Sequence, residues 1–303
     1  MMDLAPLSWD HCRSFLGVCR TGSLSAAARA SGQTQPTIAR HIAQLEDALG
    51  GGALFIRSPQ GLTPTDKAGA LLPHALAMEA SAAAMLRAAS GNTDEIAGTV
   101  RITASVVIGV EVLPGILTGI SADYPNLDFE VVPSNQTADL LRRDADIAVR
   151  MVRPSQGALV AQSVGDIMLG MFAREDYLAR RGTPQRLEDL ASHAVIGVDR
   201  DTASLQSLKP LGVTLTREMF AFRSDSDLAQ LAAVRGGFGI GICQTVLARR
   251  MAGMVRLFPQ EIALPLGTWI TMHEDLRGNR RMRLVFDRLV SAVGAYARET
   301  QAP

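Results

Sequence analysis

The stretch FLGVCRTGSLSAAARASGQTQPTIARHIAQLEDALG, Phe15 to Gly50, reads as helical segments separated by short polar turns. Upstream, Asp10 to Cys19 puts Cys12, Phe15, Leu16 and Cys19 on one face of a first helix, and Gly22 stops it. Ser23 is suited to cap a second segment, Leu24 to Ala30, because its hydroxyl accepts a backbone N–H that the first turn leaves unpaired. Gly32 ends that segment. Thr34 then caps a third, with Pro36 in the first turn, where a missing N–H costs nothing. Ile38, Ile42, Leu45 and Leu49 recur at spacings of 4, 3 and 4, the apolar stripe of an amphipathic helix. The opposite face keeps Gln35, Thr37, Arg40, His41 and Gln44.

Two short helices around a tight turn, the second with a polar outer face, fit a helix-turn-helix. Such a second helix enters the DNA major groove with its N-terminal residues at base edges. Gln35 has the amide that pairs with adenine, and Arg40 suits guanine or a phosphate. A three-helix bundle for protein contacts fits the same pattern.

Beyond the head, residues 66 to 90 are Ala-rich and helical. Leu71, Ala75, Met78, Ala82, Met85 and Ala89 follow alternating spacings of four and three, with Pro73 near the start as a break or kink. That seam fits either a coiled coil or a plain core helix. From Gly98 the chain turns to β-branched runs alternating with amphipathic segments. Thr99–Ala104, Leu127–Pro133 and Asp146–Met151 read as strands, Val110–Ala122 and Thr137–Arg143 as helices between them. This βαβαβ order predicts a parallel sheet. A second alternation takes in Ile167–Ala173, Ala194–Val198, a helix near Asp227–Arg235 and a strand Phe238–Cys243. A final strand, Trp269–His273, precedes a helix over 280–298. The expected fold class is therefore α plus α/β: a helical head, a long connecting helix, and two α/β lobes with a cleft between them. The domain limits are 1–65, 66–92 and 93–303.

Thirty basic and thirty acidic side chains leave no net charge, which argues against a protein that coats nucleic acid with positive charge. The head itself, residues 1–65, holds five arginines against four carboxylates, a balance of only +1. DNA binding by such a head must rest on a few placed residues and helix N-termini. No apolar run reaches the roughly 18 residues of a membrane span. Met1 to Asp10 lacks a basic segment before an apolar one, so a cytoplasmic protein is expected. Cys12, Cys19 and Cys243 are too few for a disulfide framework. Cys12 and Cys19 share a helix face and read as buried small hydrophobes, with a redox or metal pair as the alternative.

The sequence holds no catalytic constellation. The five histidines are scattered, and neither a GxSxG elbow nor a phosphate-binding GxxxxGK[ST] loop occurs. GGFGIGI, Gly236 to Ile242, lacks dinucleotide spacing and reads as tight helix-to-strand packing. No cofactor, metal or catalytic residue is expected. Ligands of open α/β sheets gather at the carboxyl ends of parallel strands. Ser105, Ser134 and Asn135 follow strands of the first lobe, and Ser224 and Ser226 precede the helix of the second. Arg150 either braces the sheet or meets a carboxylate.

The head, continued by LFIRSPQGLTPTDKAG, resembles the winged helix-turn-helix of LysR-type transcriptional regulators. Ordered matches include Phe15, Val18, Gly22-Ser23, Ala27-Ala28, Gln35-Pro36, Leu45-Glu46, Leu54-Phe55, Arg57, Gly61, Thr65 and Gly69. The segments VRITASVVIGVEVLP, ADIAVR and GGFGIGI are similar to that family's effector domain, so the likeness covers almost the entire chain. It departs at Ser31, at Ala39, at Gln60 and in the three residues Gly51–Ala53. The resemblance implies a recognition helix over Thr34–Gln44 and a wing over Leu54–Leu62. It puts Gln35, Pro36, Thr37 and Arg40 at the groove, and Arg57 and Gln60 near the backbone or minor groove. Ser23, Ser25, Thr34 and His41 complete the candidate DNA-contacting set. It also implies a dimerising linker helix, a dimer or dimer-of-dimers on double-stranded DNA, and a two-lobed, periplasmic-binding-protein-like domain holding a small effector. Ser105, Ser134, Asn135 and Ser226 are the effector candidates carried over by position. A cytoplasmic solute-binding protein or metabolite enzyme with an accessory head is the alternative.

Overall fold

The computed structural model describes residues 7–59, 61–89, 96–135, 145–154, 159–200 and 216–299. These divide into two compact units, one running to Ala89 and the other comprising residues 96–135 and everything described from Asp146 onwards. Gln60 and the helix expected over Thr137–Arg143 lie outside the described residues.

The first unit contains helices α1 (Trp9–Thr21), α2 (Leu24–Ser31) and α3 (Gln35–Ala48). A hairpin of β1 (Phe55–Ser58) and β2 (Gly61–Pro64) follows, then α4 (Asp66–Ala89). The caps are those the sequence indicates. Ser23 accepts from Ala26 N–H and Thr34 from Thr37 N–H, while Gly22 and Gly32 close α1 and α2 in the left-handed conformation. Phe15, Leu16, Val18, Ala27, Ala28, Ile38, Ile42, Leu45 and Leu54 form one core. Ala68 and Ala75 of α4 belong to that core as well, so the first turns of the long helix are part of the head. Their packing on either side of Pro73 accompanies a helix that continues unbroken through the proline.

The hairpin is fastened to the end of α1. Leu62 N–H donates to Gly22 O at 2.7 Å. Gly61 sits at φ 120°, and a Cβ there would lie 2.6 Å from Gly22 O. Only glycine allows this approach.

The second unit starts with the predicted parallel strands. β3 (Gly98–Ala104) lies between β4 (Leu127–Pro133) and β5 (Ile147–Arg150). Between β3 and β4 runs a π-helical turn, Ile108–Val112, that leads into α5 (Leu113–Asp123). Two long strands then cross between the lobes: β6 (Leu159–Arg174) and β11 (Leu264–His273), paired antiparallel. β11 pairs with β5 of the first lobe, while the far end of β6 pairs with β9 (Gly241–Gln244) and β10 (Met254–Leu257) of the second. The second lobe also holds β7 (Val195–Gly197), parallel to β8 (Phe220–Arg223), and the helices α6 (Glu175–Arg181), α7 (Asp227–Arg235) and α8 (Thr245–Arg249). Helix α9 (Arg280–Glu299) buries Met282, Val285, Phe286, Leu289 and Val293 in the larger core.

Three strand limits differ from the sequence expectation. β6 begins at Leu159 rather than Ile167, because its first half is largely solvent-facing and carries no apolar run. β11 begins at Leu264, ahead of Trp269, with Pro265 and Gly267 masking the strand. β9 begins at Gly241 rather than Phe238. The preceding residues close α7 instead: Gly237 and Phe238 N–H donate to Val234 O and Ala233 O. The glycine run is a packing device, since a Cβ on Gly239 would lie 2.0 Å from Ala194 O.

Candidate functional site

The exposed polar face of α3 is built from the caps outward. Thr34 fixes the start of α3 and bonds Thr37 Oγ1 at 2.8 Å. Gln35, Pro36 and Arg40 are exposed there, Thr37 half so, while Ile38, Ile42 and Leu45 of the same helix are buried. Ser25 of α2 donates to Gln35 Oε1 at 2.9 Å. Arg57 is exposed on β1 of the wing. Ser23 serves the backbone of α2.

His41 does not join this outer face. Its Nδ1 lies 2.8 Å from Ser14 Oγ of α1, and its ring centroid is 5.4 Å from that of His11. Burial, and then the neighbouring His11, lower its pKa. Its position in the helical repeat is at the edge of the apolar stripe, where the polar side chain faces a partner helix.

Two supports escaped the sequence reading. Lys67 Nζ donates to Leu49 O at 3.2 Å and to Gly51 O, holding the end of α3 and the glycine turn. Glu46 accepts Leu54 N–H at 2.7 Å and so ties α3 to the wing. Each is a side chain meeting a backbone group at least eight residues away, which no periodicity signals. Arg20 and Glu79 form a paired salt bridge between α1 and α4.

The thiols are quiet. Cys12 is buried with Sγ 3.8 Å from Met78 Sδ, and burial raises the pKa of both Cys12 and Cys19. Burial pushes the Cys243 thiol up to about 12. Among the described residues no group of three His, Cys, Asp or Glu side chains is arranged to hold a metal. No helix among them is long and apolar enough to cross a membrane.

In the second unit one hydrogen bond, from Asn135 to Asp227, joins the end of β4 to the start of α7. Ser105 ends β3 and is half-buried, its N–H bonded to Val149 O. Asn135 follows β4, accepts Val106 N–H at 3.0 Å and donates to Asp227 Oδ2 of α7 at 2.7 Å. Ser226 caps α7 through Ala229 N–H, and Ser224 Oγ accepts Ser226 N–H. Arg150 is buried beneath them. Its guanidinium donates to Ser134 O and to Thr103 Oγ1, so it braces the strand ends from below. A separate groove on α5 and β4, lined by Pro114, Leu117, Thr118 and Phe129, shares none of these residues.

The chain thus joins a capped helix with an exposed polar face, set beside a tethered hairpin, to a two-lobed α/β domain. Residues 9–69 match the family model described as bacterial regulatory helix-turn-helix protein, lysR family, and residues 93–294 match the LysR substrate binding domain. The chain belongs to the LysR family of transcriptional regulators. It is 25% identical to the probable HTH-type transcriptional regulator LtrA of Klebsiella pneumoniae, over 93% of each chain. It is 27% identical to an uncharacterized HTH-type transcriptional regulator of Methanocaldococcus jannaschii, over 82% of this chain and 87% of that one. In fold it is similar to the full-length virulence activator AphB of Vibrio cholerae, with a TM-score of 0.61 and 21% identity, covering 94% of this chain and 99% of that one.

Proposed function

We propose that α3 reads a promoter site through Gln35, Thr37 and Arg40, with Pro36 against the groove wall. Ser23, Ser25 and Thr34 support that helix at the DNA backbone, and Arg57 contacts the backbone or minor groove beside it. The observation that carries this reading is the division of α3 into an exposed polar face and a buried apolar one. The functional division is 1–65 for DNA binding, 66–92 for association and 93–303 for effector binding. Met85 and Leu86 on α4 are each 68% exposed, which supports self-association into a dimer or dimer-of-dimers along that helix. Two recognition helices would then read half-sites one DNA turn apart.

The effector sits between the lobes, against Ser105, Ser134, Asn135, Ser224 and Ser226, above the bracing Arg150. The chain works in the cytoplasm and catalyses no reaction of its own. Gel retardation on fragments of its own upstream region tests the DNA reading. One fragment should be retained over bulk competitor DNA, with affinity falling as salt rises because phosphate contacts are screened. Equal retention of every fragment contradicts it. For the cleft, Ser105→Ala should blunt the effector response while leaving DNA affinity intact.

A further inference from the structure

The two strands that cross between the lobes have one irregularity. Thr268 of β11 opposes Gly165 of β6, whereas Trp269 opposes Ser163, so Val164 is left over as a bulge. Gly165 takes a φ of 100°. A bulge interrupts the ladder and bends the strand. It lies between the contacts of β11 with β5 on one side and those of β6 with β9 and β10 on the other. The bulge thus sets a local bend in the crossing ladder between the two lobes.

Away from that bulge, α7 of the second lobe is fastened to the first lobe at both of its ends. At the start, Asp227 Oδ2 accepts from Asn135 Nδ2 at 2.7 Å. At the end, Arg235 Nη2 donates to Glu111 Oε2 at 2.8 Å. Glu111 belongs to the π-helical turn Ile108–Val112, the type of irregularity that recurs at functional sites. Asn135 also holds Val106 N–H, so one amide serves the approach to that turn and the start of α7 together. Both fastenings are partly open to solvent, so each is weak enough to be exchanged for another partner.

We infer that α7 is a two-point latch that sets how far the lobes part about the Val164–Gly165 bulge. A ligand that engages Asp227 with its own hydrogen-bond donor, an amine or hydroxyl, displaces Asn135 and undoes one point. The inference rests on the reading of the cleft as the effector site, and it adds which contact the effector must replace.

Hydrogen–deuterium exchange on the full chain, without DNA or effector, tests the latch separately from the effector reading. Asn135→Ala, Glu111→Gln and Arg235→Gln should each speed exchange in both 105–112 and 224–236. The expected rise is up to about fivefold, the effect of losing one exposed ion pair. The double exchange Glu111→Arg with Arg235→Glu should bring both segments back towards the parent rate. Faster exchange only in the segment that carries the substitution overturns the latch. So does a charge exchange that leaves both segments as fast as the single variants. An intact effector response in Ser105→Ala would count against the cleft reading alone and leave this result unaffected.

Discussion

Ser25 Oγ donates a 2.9 Å hydrogen bond to Oε1 of Gln35, joining the second helix of the head to the first turn of the third. The bond leaves the Gln35 Nε2 end as the outward donor and limits the rotamers of an otherwise exposed side chain. A pre-oriented amide loses less entropy when it meets a base edge. Ser25→Ala should therefore weaken discrimination at the base Gln35 meets by about 0.5–1.5 kcal/mol, the net value of one hydrogen bond. Competition binding with single-base variants of the site measures it. The fold should be unaffected, since Ser23 and not Ser25 caps the helix.

The wing depends on Gly61. Alanine there meets Gly22 O at 2.6 Å and must hold a φ of 120°. Relief requires breaking the Leu62–Gly22 bond that fastens the hairpin. Gly61→Ala should destabilise the head by about 1–3 kcal/mol, the range for a residue held in a disallowed backbone region. Urea unfolding followed in the head transition checks this, and an unchanged midpoint would show that the wing is not tethered as described.

The His41 pair gives the head a pH dependence of definite sign. Burial and the neighbouring His11 lower its folded pKa below the ordinary value of 6.5. The unfolded state then binds the proton more readily, so the stabilisation is present above that value and is lost as pH falls through it to the folded pKa. Thermal melting should show the head weakening from pH 7.5 to 5.5. His41→Gln, which keeps a hydrogen-bonding group near Ser14 and removes the titration, should flatten the profile.

Local signals made the head legible. Ser23, Thr34, Pro36 and the Ile38–Ile42–Leu45 stripe act within a few residues of themselves, so spacing alone locates α2 and α3. The same spacing does not show that His41 bonds Ser14, because a residue at the margin of a stripe faces solvent or a neighbour according to what packs beside it. In the second unit the strand ends carrying Ser105 and Asn135 were readable from alternation. Their partners were not. Asn135 meets Asp227 across 92 residues and Glu111 meets Arg235 across 124, contacts that only the sheet topology brings about. Strand starts are hidden where one half faces water, as in β6, or where proline and glycine interrupt the pattern, as in β11.

Base selection by α3 is tested most directly by comparing Gln35→Ala and Arg40→Ala with the parent protein on a library of operator variants. A residue that reads a base contributes about 1–3 kcal/mol of discrimination at one position. Each variant should lose preference at its own base pair, with non-specific affinity and its salt dependence largely kept for Gln35→Ala. If both variants retain the parent's site preference at every position, α3 is not the recognition helix.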